Sequence, residues 1–343
     1  MVQTALRVMS KSALTVALKL VIIAVYRSYY DNSKRRLMTT KTARNRTWQH
    51  LKVAFQYLVP QFALTRLAGW FAEKQWGVVT HLAIKSFSAK YQINLQEAEK
   101  TEVNQYASFN EFFIRPLKAT ARPIDRDESA VCFPADGAIS ELGEINNGQL
   151  IQAKGHFFSL SDLLAQDGEL ISLFENGKFV TTYLSPRDYH RVHMPCDGVL
   201  RKMIYVPGDL FSVNPFLAQH IPNLFARNER VICYFDTPFG AMVQILVGAT
   251  ITASISTVWA GIINPPRSGK IQSREYLSEG HSAVKLKKGE EMGAFRLGST
   301  VINLFQQDAV EFLASLQAGS AVQMGAAMSQ TSHAASATQH SSI

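Results

Sequence analysis

Paired cysteines, early acidic residues and long apolar runs are all scarce in this chain of 343 residues. Its 3 cysteines, Cys132, Cys196 and Cys233, form no CxxC pair. That argues against a disulfide framework or a structural zinc site and fits a reducing compartment. Residues 1–90 contain only Asp31 and Glu73 as acids, against 15 Lys/Arg. The rest of the chain therefore carries −5 of the +8 total, and the basic character belongs to the N-terminal part. Such a block suits nucleic acid or an anionic membrane surface. No zinc-finger spacing, ribonucleoprotein motif or bZIP heptad is present, and aromatic and aliphatic residues interleave with the charges, so the membrane is the expected partner and nucleic acid is not. HExxH, GxSxG, a Walker loop and a GxGxxG in strand-to-helix context are also missing.

The longest early apolar run, residues 13–26 (ALTVALKLVIIAVY), is interrupted by Lys19 and is shorter than the roughly 20 residues a spanning helix needs. Arg7 and Lys11 precede it as in a signal peptide, but RSYYDNSKRR follows without a small-residue cleavage site, so secretion is not expected. A weak anchor, or an extension upstream of a start at Met38, fits equally well.

Hydrophobic content of 47% with 18% charge describes a globular protein. The expected class is α+β, with N-terminal amphipathic helices before a β-rich core. Residues 1–46 read as a basic extension and 47–108 as a helical membrane-association region. Within the latter, Trp48, Leu51, Phe55 and Leu58 recur at helical steps until Pro60. Phe62, Leu67, Trp70, Phe71 and Trp76 then stand beside Arg66, Lys74 and Lys85. Such stripes are usually core, but tryptophans flanked by Lys and Arg suit helices lying in a lipid interface. Residues 109–317 read as the β-rich core, with runs such as FVTTYLS, VICYFDT and STVINLF. PADGAI (134–139) and PCDGVL (195–200) share a P-x-D-G turn before a strand, a hint of two related halves. Residues 318–343, rich in Ala, Ser and Gln, read as a disordered tail.

Chemistry is most concentrated in YLSPRDYHRVHMPCDG (183–198). His190 and His193 could be two ligands of one metal, one buried and one surface histidine, or an acid–base pair. An acid–base histidine needs a carboxylate to fix its tautomer, and Asp136 is a candidate, although an Asp before Gly is commonly a turn residue. Asp197 in the matching turn reads as structural. His156 in AKGHFFSL is a weaker site candidate, with a loop role about as plausible.

Taken together, FNEFFIRPLK (109–118), PADG (134–137), the histidine segment, GDLFSVNP (208–215), LFARNERV (224–231), ILVGATI (245–251) and LGSTVI (297–302) occur in one order. That series closely resembles the bacterial phosphatidylserine decarboxylase proenzymes, pyruvoyl-dependent decarboxylases, over residues 47–310. The resemblance implies self-cleavage between Gly298 and Ser299, with Asp136, His193 and Ser299 as the processing triad and His190 beside the substrate. It implies serinolysis, in which Ser299 attacks the Gly298 carbonyl and β-elimination then leaves dehydroalanine, which water converts to a pyruvoyl group at 299. The products would be a β chain, 1–298, and an α chain, 299–343. The pyruvoyl would be the cofactor, with no metal, and the reaction would turn phosphatidylserine into phosphatidylethanolamine and CO2. The resemblance also implies a mostly β core related to barrel-sandwich folds, a homo-oligomer such as a dimer, and peripheral attachment to the cytoplasmic face of the inner membrane. Two rival readings remain beside it: a membrane-associated Ser-His-Asp lipid hydrolase with intact Ser299, and an inert membrane-docking scaffold.

Overall fold

The structure, a computed structural model, describes residues 53–54, 56–153, 156–250, 254–264, 269–296 and 299–331. The extension 1–46 with its apolar run, Trp48, Gly298 and residues 332–343 lie outside the described residues. The chain divides into two compact units, 1–60 and 61–343. In the first, residues 53–54 and 56–58 are helical and Pro60 follows.

The second unit begins with the helix Gln61–Ala72, which buries Thr65, Ala68 and Ala72. These small residues at three- and four-residue spacing let the helix lie close to its support. Its opposite stripe, Phe62, Arg66 and Trp70, is exposed. The helix Val78–Tyr91 buries Thr80 and Ile84 and ends at Gln92 in the left-handed conformation. Ile84 packs with Tyr106 and Phe112, while Val78, Val79, Leu82 and Lys85 face solvent.

The β-rich remainder is antiparallel throughout its named strand pairs, which is the expected α+β class. Among the described residues nine strands form the largest sheet. Its order runs Gln272–Glu275, Gly198–Val206, Arg230–Thr237, Gly240–Val247, Ser299–Phe305, Lys178–Leu184, Gly137–Glu144 and Ala321–Val322, with Lys285–Leu286 also pairing onto Gly198–Val206. No closed barrel occurs among the described residues. The central strand Ser299–Phe305 is buried at every position. In such a strand alternate side chains share a face: Ser299, Val301 and Phe305 point one way, and Val301 and Phe305 join the main apolar core with Leu184, Leu246 and Met242. The two P-x-D-G turns each lead into a strand of this sheet, Gly137–Glu144 and Gly198–Val206.

A smaller sheet runs Gly261–Ile262, Ile255–Thr257, Glu291–Phe295 and Arg191–His193. The histidine segment thus lies against the strand that leads, through Arg296 and residues 297–298, into Ser299. A third sheet, Ala130–Cys132, Ala327–Thr331 and Val310–Phe312, corrects the sequence reading of a disordered tail from 318. Met328 and Ser329 are fully buried there. The polar composition hid a strand whose partners, Ala130–Cys132 and Val310–Phe312, are supplied from elsewhere in the chain.

Candidate active site

Ser299 opens its strand opposite Leu184. Its side chain is fully buried, and Oγ has no hydrogen-bond partner among the described residues. A buried hydroxyl without a partner costs about 1–3 kcal/mol, so this serine is held against its solvation preference. Thr300 and Asn303 of the same strand also bury side-chain polar atoms without a partner among the described residues.

Asp136 enters from the strand two places away, because Ala138 and Thr300 both pair with Tyr183. Gly137 makes that approach feasible: a Cβ there would sit 2.2 Å from the Tyr183 carbonyl oxygen. The glycine of PADG is thus required by close strand contact as well as by a turn. Asp136 is buried and gripped by Arg122, whose Nε lies 2.9 Å from each carboxylate oxygen and whose Nη2 lies 2.6 Å from Oδ2. The Met324 amide donates to Oδ1 at 2.9 Å. Arg122 also reaches Glu97 at 2.9 Å. No hydrogen bond joins Asp136 to His193 among the described residues. They are near enough for the carboxylate to favour a charged His193.

A backbone group orients His193 instead. Nδ1 lies 2.8 Å from the Gly289 carbonyl oxygen, and Nε2 lies 3.0 Å from the Tyr189 hydroxyl. A carbonyl can only accept, so Nδ1 carries the proton and Nε2 presents its lone pair, accepting from Tyr189. Gly289 has φ +81°, and a Cβ there would meet Ile124 at 2.8 Å, so the carbonyl that sets the tautomer depends on glycine. The His193 amide donates to the Pro134 carbonyl at 2.8 Å, fastening it to the loop that carries Asp136. Burial, the largest influence, pulls its pKa below the ordinary histidine value. The Gly289 carbonyl and the Glu291 carboxylate oppose that pull, and Arg191 adds to it.

His190 is fully buried, stacked on Phe113 with ring centroids 4.0 Å apart. Neither ring nitrogen makes a hydrogen bond of normal geometry among the described residues. Burial first and the Arg115 cation second drive its pKa down to about 3 from 6.5, while the backbone at Ser185 and Pro186 acts the other way. The ring is neutral at pH 7.

This burial has a measurable consequence. Between pH 6.5 and about 3 an unfolded His190 takes a proton that the folded one refuses. Stability therefore falls as pH falls through that window, by up to about 1.4 kcal/mol per pH unit for this one group. Urea unfolding of an uncleaved chain between pH 7 and pH 5 is expected to show this slope, and His190→Phe to flatten it. An unchanged slope in the variant contradicts the assignment.

The structure brings Asp136, His190, His193 and Ser299 to one end of the central strands without hydrogen bonds among them. Gly298, on the other side of the bond, lies outside the described residues. His156 opens the strand His156–Ser159 of a separate two-stranded sheet, apart from the strands that carry these four. Asp197 accepts from Lys287 Nζ at 2.7 Å and the Lys288 amide at 2.9 Å. No group of three or more His, Cys, Asp or Glu suited to a metal occurs among the described residues. Arg122, Tyr189 and Gly289 were missed from sequence, and neither Arg122 nor a glycine carbonyl 96 residues from His193 leaves a sequence signal.

Residues 109–330 match the family described as Phosphatidylserine decarboxylase, and residues 51–92 match one described as PSD. A protein of Actinobacillus pleuropneumoniae serotype 3 named phosphatidylserine decarboxylase proenzyme is 67% identical over 278 residues, covering 81% of this chain and 94% of that protein. Proteins with the same name from Haemophilus ducreyi and Haemophilus influenzae (strain Rd) are 68% identical over 278 residues and 67% identical over 281. The first of these alignments covers 81% of this chain and 94% of the relative, and the second 82% and 96%.

Proposed function

The chain belongs to the phosphatidylserine decarboxylase family, and we propose that its own residues cut it at 298/299 to make the enzyme's pyruvoyl group. It is a phosphatidylserine decarboxylase, turning phosphatidylserine into phosphatidylethanolamine and CO2. The observation that carries the cleavage proposal is Ser299, a fully buried hydroxyl with no partner at the head of its strand. That residue fits a group made in place from the serine itself.

His193 Nε2, released from Tyr189, takes the Ser299 proton, and Oγ attacks the Gly298 carbonyl carbon. The Gly298–Ser299 C–N bond breaks, and the new amine recovers a proton from His193. Loss of the Ser299 Cα proton then expels Gly298 as a carboxylate and leaves dehydroalanine, and water displaces its nitrogen as ammonia. Once formed, the pyruvoyl serves as the electron sink for the pair released with CO2. His190, neutral and sealed beside Phe113, holds or moves a proton on the substrate side. Asp136, fixed by Arg122 and the Met324 amide, contributes negative charge that favours the protonated form of His193.

The rival lipid hydrolase needs a nucleophile that an external substrate can reach, and Ser299 is fully buried; attack on its own chain needs no such access. Incubating the cleaved protein with phosphatidylserine vesicles tests the reading. Phosphatidylethanolamine and CO2 are expected, with activity lost on treatment with phenylhydrazine, a ketone reagent. Release of fatty acid or lysolipid instead supports the hydrolase.

A lipid substrate also accounts for the exposed stripes. Among the described residues no helix is long and apolar enough to cross a membrane. Phe62, Arg66 and Trp70 on one helix, and Val78, Val79, Leu82 and Lys85 on the next, suit helices lying in the cytoplasmic face of the inner membrane. The helix Gln61–Ala72 is fastened near the cleavage point, since Glu73 accepts from Arg296 Nη1 at 2.7 Å. Of the aromatic trio expected to dip into lipid, Trp76 packs edge-on against both Trp70 and Phe71 with centroids 5.5 Å apart. The sharper substitution is therefore Phe62, Val79 and Leu82 to serine. That variant is expected to lose about tenfold or more in affinity for anionic vesicles, by sedimentation, while still cleaving itself. Undiminished binding counts against these helices as the docking surface.

A further inference from the structure

Arg115 is 4% exposed. Its Nε and Nη1 have no hydrogen-bond partner among the described residues, and Nη2 makes one long contact of 3.4 Å to the Arg187 carbonyl. No carboxylate lies within ion-pair distance of it among the described residues. Asp136 and Glu97, near enough to act on its charge, are both bonded to Arg122. The guanidinium sits against the Phe112 ring, 5.4 Å from its centroid. A guanidinium does not deprotonate in proteins, and burying one unpaired costs several kcal/mol. A planar fork with free donors matches a carboxylate or a phosphate oxyanion.

Its surroundings are those of the candidate active site. Arg187 belongs to the turn directly after Leu184, the cross-strand partner of Ser299. Phe113, two residues before Arg115, stacks on His190, and Arg191 Nε donates to the Ile114 carbonyl at 2.8 Å. We propose that Arg115 binds the phosphodiester of the lipid headgroup and thereby places the amino-acid end of the substrate between His190 and position 299. This rests on the decarboxylase reading. The substrate's other anion, its carboxylate, is the less suitable partner. A cation paired with it would stabilise the ground state and be left unpaired as CO2 departs, opposing catalysis. The phosphodiester keeps its charge throughout, so Arg115 contributes binding common to substrate, transition state and product.

The test uses the cleaved protein, because turnover requires the pyruvoyl group that cleavage makes. Arg115→Met and Arg115→Lys are titrated with short-chain, monomeric phosphatidylserine and phosphatidylethanolamine, and their turnover is followed. Arg115→Met is expected to lower kcat/KM roughly 30-fold or more, chiefly through KM, and to weaken phosphatidylethanolamine binding by a similar factor. Arg115→Lys should recover part of both. Self-cleavage should continue, and the melting temperature of Arg115→Met should hold or rise, because an unpaired buried charge has been removed. Weakened binding of phosphatidylserine alone would move the contact to the carboxylate and overturn the proposal. Unchanged binding of both lipids, or a lowered melting temperature with lost cleavage, would assign Arg115 a structural role and overturn it as well. A wild-type protein that binds both lipids without decarboxylating would instead overturn the decarboxylase reading.

Discussion

A Ser299→Ala chain is expected to remain whole, with cleavage reduced below detection after days at neutral pH. The substitution removes the hydroxyl that the proposed cleavage uses as its nucleophile. It should not damage the fold. Removing a buried hydroxyl that has no partner is neutral or stabilising, and Ser299 Oγ has none among the described residues. The melting temperature of the variant should therefore equal or exceed that of an uncleaved wild-type chain. An alanine chain that is still cut at 298/299 would place the cutting with an external protease.

His193→Ala is expected to slow self-cleavage by roughly 10²- to 10⁴-fold, the usual contribution of a general base. The hydrogen-bond pattern makes the expectation specific. Gly289 fixes the proton on Nδ1, and Nε2 is masked by the Tyr189 hydroxyl. Tyr189→Phe should thus leave cleavage as fast as wild type or faster. An account in which Tyr189 supplied the proton relay predicts the opposite. The pH profile follows from burial, which lowers the His193 pKa. The base is then neutral at pH 7, and the rate should be flat there and fall only below the ordinary histidine range near 6.5. A rate that already declines at pH 7 would mean that a different group accepts the proton.

The sequence carried the chemistry further than the geometry. The apolar run of Val301, Ile302, Leu304 and Phe305 reads as buried strand, and the strand is buried. Helical spacing anticipated helices in 61–91, though not which side faces out, because Trp70, Phe71 and Trp76 contact one another. Serine, aspartate and two histidines were nameable only as an ordered series of motifs, since no single spacing joins residues 136, 190, 193 and 299. Their actual partners were illegible for a physical reason. A carbonyl such as that of Gly289 belongs to every residue alike, and the grip of Arg122 on Asp136 depends on a fold that brings separate loops together. The strand Ala327–Thr331 was missed because its burial is conferred by neighbours distant in sequence, not by its own hydrophobicity.

Intact-mass analysis of the purified protein tests self-cleavage at Ser299 most directly. Two chains are predicted, the larger ending in a free carboxyl at Gly298. The smaller should begin at 299 with a blocked N-terminus and be lighter by one ammonia than a chain released by simple hydrolysis. A single uncleaved chain, or a smaller chain with an intact N-terminal serine, would contradict the account.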